Sequence, residues 1–234
     1  MRGLRGYLYR VYRATERLNK RTILEIVDRR PGGVLLDCGC GDGSFTVELA
    51  ERAGMADAHG IEALPDRVAA ATARGVRVAQ ADLNGQLPYP DGTFDVVHAN
   101  QVIEHLHATD HFLREVRRIL KPDGRALLST NNMASWHNVA SLVLGMQPPP
   151  MHVSSEVIVG NLFDPLRNSA IAAGEDSHLR LFSYQGLKEL CLHHGFRVVA
   201  LRTAGYYPLP PAPARLASRL DRRHGAFLIA KLAH

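Results

Sequence analysis

Three glycines at alternating positions, Gly39, Gly41 and Gly43, follow the apolar run Val34-Leu35-Leu36-Asp37-Cys38. Glycine has no Cβ, so such a loop lets a ligand come down onto backbone N–H groups, and the helix start behind it offers more unpaired donors. The spacing is G-x-G-x-G, not the G-x-G-x-x-G of a dinucleotide fingerprint. Asp37 before the loop and Asp42 inside it would repel a phosphate; they suit a ligand presenting a cation and hydroxyls. Two more carboxylates point the same way. Glu62 ends the next strand-like segment, where it can accept hydrogen bonds from both hydroxyls of a ribose. Asp82 ends the one after that, where it can accept from an adenine amino group.

An alternation of strand and helix must position these residues. Residues 34–38 form an apolar run suited to a strand covered on both faces. A helix over 44–53, a strand over 58–62, a helix over 66–74, a strand over 76–81 and a strand over 94–100 follow. A helix from 109 to 120 is expected to stop at Lys121-Pro122-Asp123-Gly124, because proline cannot continue it and glycine suits a left-handed end. Residues 125–130 read as the fifth strand. This rhythm predicts a parallel, doubly wound α/β sheet, which binds ligands at the carboxyl ends of its strands.

Before the sheet, residues 2–30 read as a helix with Leu4, Tyr7, Leu8, Val11, Thr15 and Leu18 on one side. Its other side is basic, with Arg2, Arg5, Arg10, Arg13, Arg17, Lys20 and Arg21. After Asn132 the rhythm breaks. Residues 133–177 hold an apolar helical piece over 136–144 and Pro148-Pro149-Pro150, which predicts a lid or binding loop. The rhythm resumes with Ser183 as N-cap, a helix over 184–194, Gly195 as its stop and a strand over 196–201. Residues 205–225 are a second, Pro- and Arg-rich connection, and 227–232 a last strand.

The stretches Leu36-Asp37-Cys38-Gly39-Cys40-Gly41-Asp42-Gly43, Glu62, Ala81-Asp82-Leu83, Phe94-Asp95-Val96-Val97 and Leu120-Lys121-Pro122-Asp123-Gly124 together resemble class I S-adenosylmethionine-dependent methyltransferases. The similarity is closest to the single-domain group that includes ubiquinone- and menaquinone-biosynthesis enzymes. It is dense over residues 34–131 and loose over 178–232. It implies a Rossmann-like sheet of seven strands with the last antiparallel and helices on both faces. It also implies S-adenosyl-L-methionine as cofactor. The methionine part would lie against the backbone of Gly39, Cys40 and Gly41, the ribose on Glu62, the adenine beside Asp82 and Leu83, and the amino-acid end near Asn100; Asp37 and Ala63 join this set. Cys38 and Cys40 stand where the family often has aliphatic or other small residues, and read as small fillers. The chain then divides into an N-terminal helical cap (1–33), a cofactor-binding core (34–131) and substrate or lid segments (133–177 and 205–225) within one domain spanning 1–234.

Catalytic candidates lie outside the glycine loop. Gln101-Val102-Ile103-Glu104-His105-Leu106 follows the fourth strand, where the family often has a similar V-x-E-H stretch. Glu104 and His105 there either neighbour the transferred methyl or fix the loop by hydrogen bonding. His178, in His178-Leu179-Arg180-Leu181-Phe182-Ser183, resembles a family histidine that points into the substrate pocket. It is the first candidate for general base, followed by His152, with His105 also considered, since an imidazole can take a hydroxyl proton near neutral pH. Pinning the lid is the competing role for His178. His105, His107 and His111 lack a carboxylate at matching spacing, so no metal site is expected. Trp136, Met133, Met146, Met151, Phe163, Tyr206 and Tyr207 suggest an apolar substrate lining, or simply lid core. Arg167, Arg180 and Arg202 could hold a carboxylate or phosphate. The expected activity is in-line methyl transfer to a small molecule, at oxygen. A cofactor-binding protein without catalysis is one alternative, and an NAD-dependent oxidoreductase another. The second rests on Tyr184 and Lys188, a Y-x-x-x-K pair that Gly186 interrupts within the first turn of its helix.

Composition bounds the rest. At 234 residues, 46% hydrophobic and 22% charged, the chain suits one domain with a sizeable core. Three cysteines are too few for a disulfide framework and favour a reducing, cytoplasmic setting. No apolar run approaches ~18 residues, and the N-terminus lacks the features of a signal peptide. A net charge of +5 does not by itself indicate nucleic acid. The basic N-terminal helix could cover the cofactor, attract an anionic substrate or rest on a lipid surface, and a monomer or homodimer is expected.

Overall fold

The computed structural model describes residues 3–171 and 178–234. Arg2 of the basic helix and residues 172–177 of the 133–177 segment lie outside the described residues. The strands β1 (Val34–Cys38), β2 (Asp57–Glu62), β3 (Arg77–Gln80), β4 (Phe94–Asn100) and β5 (Leu120–Asn131) pair in parallel in the order β3-β2-β1-β4-β5. Two further strands, β6 (Arg197–Ala204) and β7 (Phe227–Ala233), complete the sheet in the order β5-β7-β6, with β7 antiparallel to both neighbours. This is the expected doubly wound, Rossmann-like sheet. The strand order reverses between β1 and β4, which opens a crevice at the carboxyl edge.

The strands read as continuous apolar runs because both faces are covered. Leu35, Val96, Leu127 and Ile229 pack on one face against Ile23 and Ile26 of α1 (Gly3–Ile26) and Phe45 and Leu49 of α2 (Ser44–Ala53). Their neighbours Leu36, Val97, Leu128 and Leu228 face the other way. There they meet Phe112, Leu113 and Val116 of a helix at Thr109–Ile119 and Leu187 and Cys191 of one at Tyr184–His193. In chain order the helices are α3 (Pro65–Ala73), α4 (Thr109–Ile119), α5 (Trp136–Val143), α6 (Tyr184–His193) and α7 (Pro211–Leu220). The Ser183 side chain caps α6 by accepting from the Gly186 N–H at 3.2 Å.

Three local expectations change. Lys121-Pro122-Asp123-Gly124 is not a left-handed helix end: α4 stops at Ile119 and these residues begin β5. Gly124 answers a close approach instead, since a Cβ there would lie 2.8 Å from the Leu120 side chain and 2.9 Å from the Lys121 carbonyl oxygen. The 205–225 connection contains α7, whose proline-rich start is tolerated because first-turn N–H groups need no helical partner. The N-terminal helix ends at Ile26, earlier than residue 30. All three cysteines are free and buried, and no helix among the described residues is long and apolar enough to cross a membrane.

Candidate functional site

At the carboxyl edge of β1–β4 lies a cavity of about 900 Å³. Tyr12, Thr15, Glu16, Asn19 and Lys20 of α1 form one wall. The basic helix therefore covers this site, and part of its charge is engaged. Arg5 donates to the carbonyl oxygens of Pro165 and Arg167, and Arg13 and Arg21 pair with Glu16 and Glu25.

The glycine loop bends sharply out of β1. Gly39 has φ +73°, and a Cβ on it would come within 2.6 Å of Val102 Cγ2. Gly43 has φ +77°, with Ala71 2.9 Å from any added Cβ. The Gly41 N–H donates to Glu62 Oε2 at 2.9 Å, while the Ala63 and Leu64 N–H groups donate to Oε1 at 2.9 and 3.1 Å. These three bonds hold the Glu62 carboxylate at the cavity rim. Each oxygen has two lone pairs, so both on Oε1 are taken and one on Oε2 is left for a hydroxyl group.

Gly39, Glu62, Ala63, Asp82, Leu83 and Asn100, all expected at the cofactor, line this cavity together. The Asp82 carboxylate also accepts from the backbone N–H and side-chain amide of Asn84, which fixes the turn after β3. Asp37, Cys40 and Gly41 do not line the cavity. The Asp37 carboxylate, 3% exposed, accepts from the Thr46 hydroxyl at 2.6 Å and faces His98 Nδ1 at 2.7 Å, so it braces β1 to α2 and β4 from beneath. Cys40 packs with Ala71 and Val76, and its Sγ lies 2.5 Å from where a Cβ on Gly60 would sit. It is a filler, as its size suggests.

Another part of the wall carries the three candidate histidines, His105, His152 and His178. The His178 ring stands 4.8 Å from that of His105 and is stacked at 5.6 Å on that of His152. Its Nδ1 lies 2.7 Å from the Pro150 carbonyl oxygen. A carbonyl only accepts, so Nδ1 carries the proton and Nε2 presents a lone pair, 3.4 Å from the Asn131 amide nitrogen. Burial lowers the His178 pKa to about 4, and the neighbouring His105 and His152 add to this. The ring is neutral at physiological pH.

Glu104 lies under this wall, fully buried, and takes the loop-fixing role. Its carboxylate accepts from Thr130 Oγ1 at 2.8 Å and the Asn131 amide at 3.3 Å, and its carbonyl accepts from the N–H groups of Leu179 and Arg180. Burial pushes its pKa up to about 7. Glu104, His105 and His178 place one potential ligand atom each within 4.8 Å of one another, a grouping that local histidine spacing did not suggest. The Asn131 amide already gives a donor to both Glu104 and His178.

The lid lining expected from the sequence is largely replaced. Of Trp136, Met133, Met146, Met151, Phe163, Tyr206 and Tyr207, Tyr207 alone lines the cavity. Trp136 and Phe163 are about half exposed, and Tyr206 packs against Leu18 and Ala214. Arg167, Arg180 and Arg202 also lie off the cavity; the Arg180 guanidinium is held by the Leu106 carbonyl. Tyr184 and Lys188 are on α6, away from it. The residues missed include the polar Tyr12, Asn19, His137, Asn138 and Asp164 and the apolar Ile158, Leu166 and Ile171. The signal for Asn19 was a polar residue beside Leu18 on a stripe of apolar positions. His137 on α5, edge-on to Tyr207, has its pKa lowered to about 4 by burial.

Residues 9–201 match a protein family described as "Methyltransferase domain". The chain is 32% identical over 175 residues to a probable S-adenosylmethionine-dependent methyltransferase of Mycolicibacterium smegmatis, covering 74% of this chain and 65% of that one. It is 31% identical over 196 residues to the nocamycin O-methyltransferase of Saccharothrix syringae, covering 80% and 63%. In both cases the match spans less than two thirds of the relative's length. A solved S-adenosylmethionine-dependent methyltransferase of Mesorhizobium loti shares the fold, with a TM-score of 0.62 at 17% identity over 92% of this chain and 96% of that one.

Proposed function

The chain belongs to the class I S-adenosylmethionine-dependent methyltransferases, and from that premise we propose that its cavity binds S-adenosyl-L-methionine and directs methyl transfer to a hydroxyl oxygen of a small molecule. One observation carries this reading. Gly39, Glu62, Asp82 and Asn100 line one cavity together with His178, whose Nε2 is unprotonated.

The residues fit the cofactor. Gly39 lets the loop close on Val102 at the cavity wall, Glu62 keeps one acceptor position on Oε2 for a ribose hydroxyl, and Asp82 with Leu83 forms the edge for an adenine. Asn100 faces the amino-acid end. When bound, the cofactor supplies a methyl group on a sulfonium, an electrophile that needs little activation. The protein's part is then alignment and exclusion of water. Tyr12, Thr15 and Asn19 cover the cofactor from the α1 side. With the cofactor bound, His178 Nε2 would exchange its 3.4 Å contact with the Asn131 amide for the acceptor's hydroxyl and take up that proton as the methyl passes from sulfur to oxygen, with Pro150 holding the tautomer. His105 and His152 pack this ring in place. The polar groups of His137, Asn138, Asp164 and Tyr207 suit an acceptor with several hydrogen-bonding groups, and the nocamycin O-methyltransferase supports oxygen as the acceptor atom.

Calorimetry with S-adenosylhomocysteine, followed by transfer of labelled methyl to a panel of hydroxylated, aminated and C-nucleophilic small molecules, tests the proposal. Stoichiometric binding and ether products are expected. Binding without turnover on any acceptor class would count against catalysis, and N- or C-methyl products would overturn the choice of oxygen.

A further inference from the structure

Helix α7 buries Ala214 against Leu18 and Tyr206 and turns the opposite side to solvent. On that side Leu216 and Leu220, one helical turn apart, are 59% and 80% exposed. Arg215 and Arg219 repeat the same four-residue step beside them, and Arg222 and Arg223 follow at once; all four are exposed. The acid of this stretch, Asp221, is engaged elsewhere. Its carboxylate accepts from Trp136 Nε1 at 2.9 Å and faces His224 Nδ1. That contact ties the start of α5 to the end of α7. Trp136, joined to α7 through Asp221, and Val143, two turns further along the same side of α5, are two more exposed apolar side chains.

Apolar side chains fringed by arginines match an interfacial helix, whose apolar face enters the headgroup boundary while its cations meet lipid phosphates. A second copy of this chain fits less well. A two-fold contact would set this patch on itself and bring the arginines of one copy against those of the other.

We propose that the outer face of α7, with Trp136 and Val143 of α5, seats the protein on an anionic lipid bilayer. The contact lies on the two segments that also supply His137, Asn138 and Tyr207 to the cavity, so an acceptor partitioned in the bilayer would arrive beside the substrate end of the site.

Flotation of the full chain with phosphatidylcholine vesicles, with and without phosphatidylglycerol, tests this. Binding is expected to phosphatidylglycerol vesicles, weakened by raised salt, and to fall about tenfold in Leu216→Ser/Leu220→Ser and in Arg219→Gln/Arg222→Gln. Both double variants should keep wild-type affinity for S-adenosylhomocysteine, which separates loss of the surface from loss of the fold or of the cofactor site. No lipid-dependent flotation, equal flotation by the variants, or a solution dimer that the leucine variant dissociates would each overturn the proposal.

Discussion

Asn19, two turns before the end of the N-terminal helix, donates a 2.6 Å hydrogen bond to the side-chain oxygen of Asn100 at the end of β4, and its own oxygen accepts from the Ser129 hydroxyl at 2.8 Å. Asn19 is 2% exposed. The helix that covers the cavity is therefore pinned by side-chain bonds to the strand edge it covers, in addition to its apolar packing.

Asn19→Ala leaves the Asn100 oxygen and the Ser129 hydroxyl short of a partner. A stability loss of about 1–3 kcal/mol is expected by denaturant unfolding, with a several-fold weaker affinity for S-adenosylhomocysteine. Unchanged affinity alongside reduced stability would show that α1 supports the fold without shaping the site.

Glu62 accepts three backbone N–H groups, so its removal affects both loop and ligand. Glu62→Ala should weaken S-adenosylhomocysteine binding by about 1–3 kcal/mol, roughly 5- to 150-fold, and lower the melting temperature. Glu62→Gln keeps the shape and part of the acceptor capacity, so its loss of affinity should be smaller. Calorimetry showing full affinity in the alanine variant would remove Glu62 from the cofactor site.

His178→Gln removes the unprotonated ring nitrogen. A fall in kcat of about 100- to 10,000-fold is expected, with affinity for S-adenosylhomocysteine little changed. Because burial holds this imidazole near 4, its ring resonances should not titrate between pH 8 and 5 in the unliganded wild type. A titration midpoint near 6.5 would contradict the burial described here, and an unchanged kcat would leave His178 the role of pinning the lid.

Glu104 sets a pH dependence with a definite sign. Its folded-state pKa is raised from 4.5 to about 7, so the native state holds this proton more tightly than the unfolded chain. Below pH ~4.5 both states are protonated and the group costs nothing; as pH rises through about 7 the native state is progressively destabilised, by up to about 3 kcal/mol. His178, with its lowered value, acts in the opposite direction below pH ~6.5 and masks part of this. Glu104→Gln carries no such charge. Its stability relative to wild type should therefore climb between pH 4.5 and 7.5 in parallel denaturant titrations, and a flat difference would count against the raised value.

Much of the site was readable locally. Gly39, Glu62, Asp82 and Asn100 each sit at or just past a strand end, and in a parallel sheet all strand ends of one sense fall on one edge. Asp37 shows where this reasoning fails. It sits in the same motif, but strand alternation turns its carboxylate under the loop to Thr46 and His98. The lid was less legible still. The apolar lining suggested by its Met and aromatic residues comes instead from Ile158, Leu166 and Ile171, while α5 turns His137 and Asn138 to the cavity and leaves Trp136 outside on Asp221.

The amino-acid pattern by itself determined the sheet, its helices and the carboxyl edge where the cavity lies, because periodicity, strand ends and glycine loops act over a few residues. Tertiary structure alone decided which groups meet across long separations. Asn19 reaches Asn100, Pro150 fixes the tautomer of His178, and Glu104 becomes a buried acid held by Thr130 and Asn131. Each of these depends on the angle at which one packed element crosses another. That angle is set by the fit of whole surfaces, which no short stretch of sequence encodes.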